Sequence, residues 1–312
     1  MAIFMLGLPF GLFAAYMLSG IIGELWGWRA AFFLACIPGL VLAGLVLLIK
    51  EPARGAAEKR PAGVGPAIDS PFRRVLRIPT LWWIVLSGML FNFNSYAVNA
   101  FQSPFLQRFH ELGLKDASNV SAISLGLTGA IGLILGGWLG DRMHLRRANG
   151  RLLLAATCML IAAPCVFLAL QQPKGNILAF TVFMGASSAM TFVYYSTVYS
   201  AIQDVVPPRL RGTAVSVYFF AMYVLGAAFG TTVLGALSDY FANSAMLAAG
   251  ASEMAPAFKA AGLHSAMYVI PALMLFCAAS LFGSARTVAA DMRKLQQDAA
   301  ADVAPSTAEA VS

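Results

Sequence analysis

Residues 136–147, GGWLGDRMHLRR, place Asp141, Arg142, Arg146 and Arg147 directly after Gly136, Gly137 and Gly140, at the end of an apolar run. Glycines followed by arginines can cradle a phosphate, grip nucleic acid, or close a membrane helix on its cytoplasmic side. Two further sets of polar residues recur inside apolar stretches. One is Asn92, Ser95 or Tyr96, and Asn99, extended by Gln102; the other is Ser187 or Ser188, Thr191, Tyr194 or Tyr195, and Tyr199. Three- and four-residue steps put each set on one face of a helix.

The elements that must position these residues follow from composition. Of 312 residues, 59% are hydrophobic and only 11% charged, and the mean hydropathy is +0.75. Soluble domains average about 45–50% apolar and about 25% charged, so this is a membrane protein. A spanning helix needs about 20 mostly apolar residues. Segments 3–22, 30–48, 81–100, 119–139, 152–170, 177–199, 213–237 and 265–283 qualify, and none contains Lys, Arg, Asp or Glu. They are too long and too uniformly apolar for barrel strands. The expected fold class is therefore an all-α polytopic membrane protein with eight transmembrane helices.

Charge sets the orientation. Loops 49–80, 140–151 and 200–212, with the tail after 283, carry 16 of the 21 Lys and Arg residues. Arg29, Arg108, Lys115, Lys174 and Lys259 make up the other side. The positive-inside rule puts both termini in the cytoplasm. The net charge of +7 is thus topological. A nucleic-acid surface would need basic and aromatic residues interleaved on a soluble face, and a phosphate loop would need Gly-x-x-x-x-Gly-Lys. Neither is present. Met1 opens directly into a span, without the basic n-region or cleavage site of a signal peptide. Cys36, Cys158, Cys165 and Cys277 lie in spans with no C-x-x-C pair and read as small apolar packing residues. No cofactor or metal is expected.

The chain divides into two helices (1–48), a cytoplasmic linker (49–80), a six-helix unit (81–283) and a cytoplasmic tail (284–312). The linker end, FRRVLRIP, suits either a basic amphipathic piece on the membrane surface or a solvated linker. The tail is expected to be a short polar helix passing into disorder, and the outer loop 238–264 to hold a short surface helix. Gly11, Gly20 and Glu24 have the same spacing as Gly226, Gly235 and Asp239. This suggests that spans one and two repeat spans seven and eight. The six-helix unit would then have a partner of which only the last third is present.

At 136–147 the sequence resembles the signature of the major facilitator superfamily: Gly, three residues, Asp, Arg or Lys, one residue, Gly, then basic residues. Gly137, Asp141, Arg142, Arg146 and Arg147 match; His144 replaces the second glycine and the basic pair sits one place late. The departures suit the weaker copy of the motif, between helices eight and nine. MAIFMLGLPFGLF and GWRAAFFLACIPGLVLAGLVLLIKEPARG resemble helices five and six of bacterial members related to the spinster branch. IQDVVPPRLRGTAVSVYFF resembles that branch's junction between helices ten and eleven. The resemblance implies helices five to twelve of twelve: a complete C-terminal six-helix bundle plus the last two helices of the N-terminal bundle. It also implies a bacterial inner (cytoplasmic) membrane and a secondary carrier with alternating access.

On that resemblance, Asn92, Ser95, Tyr96, Asn99, Thr191, Tyr194 and Tyr195 line a central cavity among Phe91, Phe93 and Phe192. The lining suits a small amphipathic organic solute. The alternative for each stripe is interhelical hydrogen bonding alone. Gly137, Asp141, Arg142, Arg146 and Arg147 would form a cytoplasmic gate, with Asp141 capping a helix or pairing with Arg142 or a basic residue of a neighbouring helix. Otherwise they are interfacial anchors. Gly132/Gly136, Gly136/Gly140 and Gly226/Gly230 have the spacing of close helix approach. Partners are the solute, the bilayer and, for a coupled carrier, a proton or other ion. No span holds a titratable group for coupling, since His110, His144 and His264 are in loops. The coupling carboxylate would belong to the absent front half, or the chain does not couple. Two rivals stand beside the carrier. A truncated fragment without activity fits the abrupt start. A membrane-embedded enzyme is suggested only by GASSA at 185–189, which has no histidine base in any span.

Overall fold

Backbone polar groups in hydrocarbon must be satisfied internally, and a helix does this within one segment. The computed structural model describes residues 5–50 and 71–309, with side chains as far as residue 297. Among the described residues there are eight long helices and no strand. They are α1 (Gly7–Trp26), α2 (Trp28–Val46), α3 (Pro79–Arg108), α4 (Leu114–Arg146), α5 (Gly150–Leu170), α6 (Ile177–Val205), α7 (Pro208–Ala248) and α8 (Pro256–Met267, then Val269–Glu309 after a break at Tyr268). Seven are long and apolar enough to cross a membrane. The eighth, α3, has 30 residues, but Asn92, Asn94, Asn99 and Gln102 dilute its apolar content.

Several helices outrun the apolar segments that announce them. At 33 residues, α4 is about 50 Å long at 1.5 Å per residue, well over the thickness of the hydrocarbon. Hydropathy marks the part of a helix that meets lipid, whereas hydrogen bonding continues into water. The expected outer loop 238–264 is accordingly mostly helix, since α7 runs to Ala248 and α8 starts at Pro256. Glu24 and Asp239, outside the apolar segments, sit on α1 and α7. The tail stays helical to Glu309, as its alanine-rich stretch favours. Residues 51–70, most of the linker, lie outside the described residues. Its end contributes a short helix, Pro71–Val75, which buries Val75 and exposes Phe72.

Helices α3 to α8 share one core, and α1 leans on it through α4. Small residues set the closest approaches. A Cβ on Gly136 would lie 2.8 Å from Val193 Cα, one on Gly140 3.0 Å from Thr197 Cγ2, and one on Gly132 would overlap the Ala189 carbonyl oxygen. Four-residue steps on α4 thus meet four-residue steps on α6, a parallel small-x-x-x-small seam. Gly226 and Gly230 of α7 approach Met89 and Phe93 of α3 in the same way. Of the proposed repeat pair, Gly20 packs on Ser118 of α4, a Cβ on Gly235 would lie 3.5 Å from the Phe101 ring, and Gly11 faces open space.

Gly27 alone separates α1 from α2, with φ +81°, a conformation that side-chain-bearing residues rarely adopt. Nothing on α2 is buried, and Phe33 and Leu40 are 77% and 70% exposed. An apolar surface of this extent belongs against lipid. Two helices widen into π turns, Ala122–Leu127 in α4 and Ala221–Ala227 in α7. Such turns loosen the hydrogen-bond ladder and often occur at functional sites.

Candidate functional site

Where α1 meets the six-helix unit there is a cavity of about 300 Å³. One wall is polar and aromatic: Asn92, Asn94, Ser95, Tyr96 and Asn99 of α3, Ser187, Ser188, Thr191 and Tyr195 of α6, and Tyr223 of α7. Leu8 and Leu12 of α1, with Val98, Leu125, Val166, Met184, Phe192, Ile270 and Met274, form the apolar remainder. No described lining residue is acidic or basic.

The two π turns are tied to this wall. Asn92 Nδ2 donates to the carbonyl oxygen of Met222, in the α7 turn, at 2.9 Å. Ser188 Oγ donates to that of Leu125, in the α4 turn, at 3.1 Å. Thr191 Oγ1 donates within its own helix to Ser187 O at 2.8 Å. From the other side Tyr16 of α1 donates to Asn99 O at 2.5 Å. Interhelical bonding and cavity lining are therefore not exclusive: Asn92 and Ser188 do both. The Oδ1 atoms of Asn92 and Asn94 are buried without a hydrogen-bond partner.

Tyr194 is the residue that the structure removes from the cavity. It is fully buried, its hydroxyl lying between those of Ser87 (2.9 Å) and Tyr218 (3.1 Å). Its ring stacks on Phe91 at 4.0 Å. Neighbours on a helix point about 100° apart, so with Tyr195 lining the cavity Tyr194 turns into the bundle. Phe91 is buried behind the wall, Phe93 packs against Gly230, and neither lines the cavity, whereas Phe192 does. Asn94 and Tyr223 are lining residues that the helical-spacing argument missed. Asn94 falls off the stripe, and Tyr223 is brought in by the π turn, which changes the helical phase.

At the other site Asp141 pairs with Arg151, not Arg142. Arg151 Nη2 lies 2.9 Å from Asp141 Oδ1, and Nη1 lies 2.7 Å from Asp204 Oδ2. One guanidinium therefore clamps the ends of α4, α5 and α6. Asp204 is 25% and Asp141 74% exposed, so the inner pair is the stronger. Arg142 instead stands over the Trp138 ring, 5.7 Å from its centroid. Arg146 and Arg147 are exposed, and Gly137 is half-buried. Arg151 and Asp204 carried no motif signal: each lies on a different helix from Asp141 and counts, by sequence, only toward loop charge.

A helical bundle with a central uncharged cavity and a charged clamp at one end has the build of a membrane carrier. The chain belongs to the Major Facilitator Superfamily, whose sequence profile matches residues 1–231, and within it the chain is similar to spinster proteins. It is 29% identical over 256 residues to human protein spinster homolog 3, covering 77% of this chain and 50% of that protein. To an MFS-type efflux pump of Mycolicibacterium smegmatis it is 28% identical over 239 residues, covering 77% and 54%. The chain thus spans about half the length of these curated relatives. These relatives are transporters, not enzymes. In fold it resembles a bacterial homolog to the human lysosomal transporter spinster, crystallised inward-facing and unoccupied. That match has a TM-score of 0.71 at 24% identity and covers 90% of this chain and 68% of the other.

Proposed function

We propose that the chain is part or all of a secondary carrier that moves a small amphipathic organic solute across the bacterial cytoplasmic membrane by alternating access. The observation that carries this reading is the cavity of about 300 Å³, lined by both polar and apolar side chains and bounded by both α1 and the six-helix unit. A mixed lining fits an amphipathic solute. With both termini in the cytoplasm, Tyr16–Asn99 and Gly20–Ser118 stand on the outer side of the cavity and Arg151 on the inner side. Gly137, Asp141, Arg142, Arg146 and Arg147 then mark the inner membrane face, and Asp141–Arg151–Asp204 is the contact made in one conformation and released in another. Ser95, Tyr96, Asn99, Thr191 and Tyr195, with Asn92, are the solute-facing groups.

The test is counterflow in proteoliposomes with small aromatic amphiphiles of positive, zero and negative charge. At least one should exchange, and Asn92→Ala and Tyr195→Phe should slow it without loss of membrane insertion. Unchanged flux in both variants would remove the cavity assignment, and no flux for any solute would remove transport by this chain.

A further inference from the structure

The polar wall of the cavity is backed by two buried amide oxygens, those of Asn92 and Asn94, that have no hydrogen-bond partner. Three side chains of the wall donate to backbone oxygens: Asn92 Nδ2 to Met222, Ser188 Oγ to Leu125, and Thr191 Oγ1 to Ser187. Tyr16, which reaches in from α1, likewise donates to Asn99 O. Asn92 and Asn94 are 1% and 5% exposed, and the Oδ1 atom of each has no hydrogen-bond partner. The bond to Met222 O fixes which end of the Asn92 amide is oxygen, and that buried oxygen has no hydrogen-bond partner among the described residues. In a low-dielectric interior such uncompensated oxygens act at longer range than in water.

Aromatic faces add to the same sign of potential. Tyr96 and Tyr223 are 42% and 47% exposed and meet edge to face at 6.4 Å, and Tyr195 lies on the same wall. The face of an aromatic ring attracts cations. Neither sign of charge finds a counter-ion among the described lining residues, so the ring faces and the buried amide oxygens decide which ion is less costly to bury.

We propose that this cavity selects an organic cation, an ammonium carried on a small apolar or aromatic body, over an anion of the same size. The proposal rests on the carrier reading and adds the charge of the solute. Volume limits the body to a molecule of modest size, since about 300 Å³ is at the lower end for ligand pockets.

The test uses the full chain in lipid nanodiscs, with empty nanodiscs as background. Labelled phenyltrimethylammonium is measured directly, and benzenesulfonate serves as the size-matched anion. The cation should bind about tenfold tighter, as one desolvated cation–π contact allows. The double variant Tyr96→Leu, Tyr223→Leu should reduce the preference to about twofold on the same scale. Asn94→Leu should also lower it; the Asn94 amide makes no hydrogen bond among the described residues, so this variant keeps the bundle intact, which size-exclusion chromatography checks. Equal or tighter binding of benzenesulfonate overturns the proposal, as does a preference that survives in every variant. Binding of neither probe, with counterflow of other solutes intact, overturns it while leaving the carrier reading in place. Absence of both binding and all counterflow removes the carrier reading beneath it.

Discussion

Three alanine substitutions along one seam separate close packing from mere helix propensity. Gly→Ala in a helix gains about 0.5–1 kcal/mol of backbone entropy wherever a methyl group fits. Against this, overpacking costs about 1–3 kcal/mol. At Gly132 the new methyl would overlap the Ala189 carbonyl oxygen, a backbone atom that cannot move without moving α6. At Gly136 it would meet Val193 Cα at 2.8 Å, and at Gly140 the Thr197 methyl group at 3.0 Å. Gly132→Ala should therefore lose about 2 kcal/mol net, Gly136→Ala about 1 kcal/mol, and Gly140→Ala close to nothing, because a side-chain methyl yields. Reversible unfolding in mixed micelles, followed by helical circular dichroism, measures all three. Equal tolerance at the three sites, or the largest loss at Gly140, would refute the α4–α6 seam.

Arg151→Ala should destabilise the clamped ends of α4 to α6 by about 1–2 kcal/mol, because Asp204 is left partly buried without its donor. Arg142→Ala should leave the melting temperature unchanged; equal losses in both would contradict the assignment of the clamp to Arg151. At the opposite end of the bundle, His110 is 6% exposed and its Nδ1 accepts from the Gly175 N–H at 3.3 Å. Burial, then the charges of His264 and Lys174, hold its pKa below the usual 6.5. A lowered folded pKa means that the unfolded segment takes up the proton first. Protection of the Gly175 amide should therefore be full above about pH 6.5 and fall as pH drops from there toward the lowered folded value. Hydrogen exchange against pH reads this directly, and His110→Gln should flatten the profile. A protection factor independent of pH in the wild-type chain would contradict it.

Much of this architecture is legible in residue order because lipid imposes simple rules. An apolar run free of charge can only be a spanning helix, and glycines four apart announce a close approach, as Gly132, Gly136 and Gly140 make on α6. Polar residues at helical spacing announced the α3 and α6 stripes. What stayed hidden depends on rotation and on partners from other helices. Spacing admits Tyr194 or Tyr195, and only the packed bundle decides that Tyr195 faces the cavity while Tyr194 bonds Ser87 and Tyr218. The π turns have no sequence signature of their own, so neither Tyr223 in the wall nor the bonds from Asn92 and Ser188 could be foreseen. Asp141 stood out in its motif, yet its partner Arg151 lies across a helix–helix turn and shares itself with Asp204.

Alternating access from a single cavity is the central claim, and thiol labelling at Thr191 tests it most directly. The Thr191→Cys chain, with Cys36, Cys158, Cys165 and Cys277 replaced, is exposed to a membrane-impermeant maleimide in right-side-out and inside-out vesicles. Labelling should occur from both sides, with Tyr194→Cys unreactive as the buried control. Labelling from one side only under every condition, or reaction at Tyr194→Cys but not at Thr191→Cys, would contradict it.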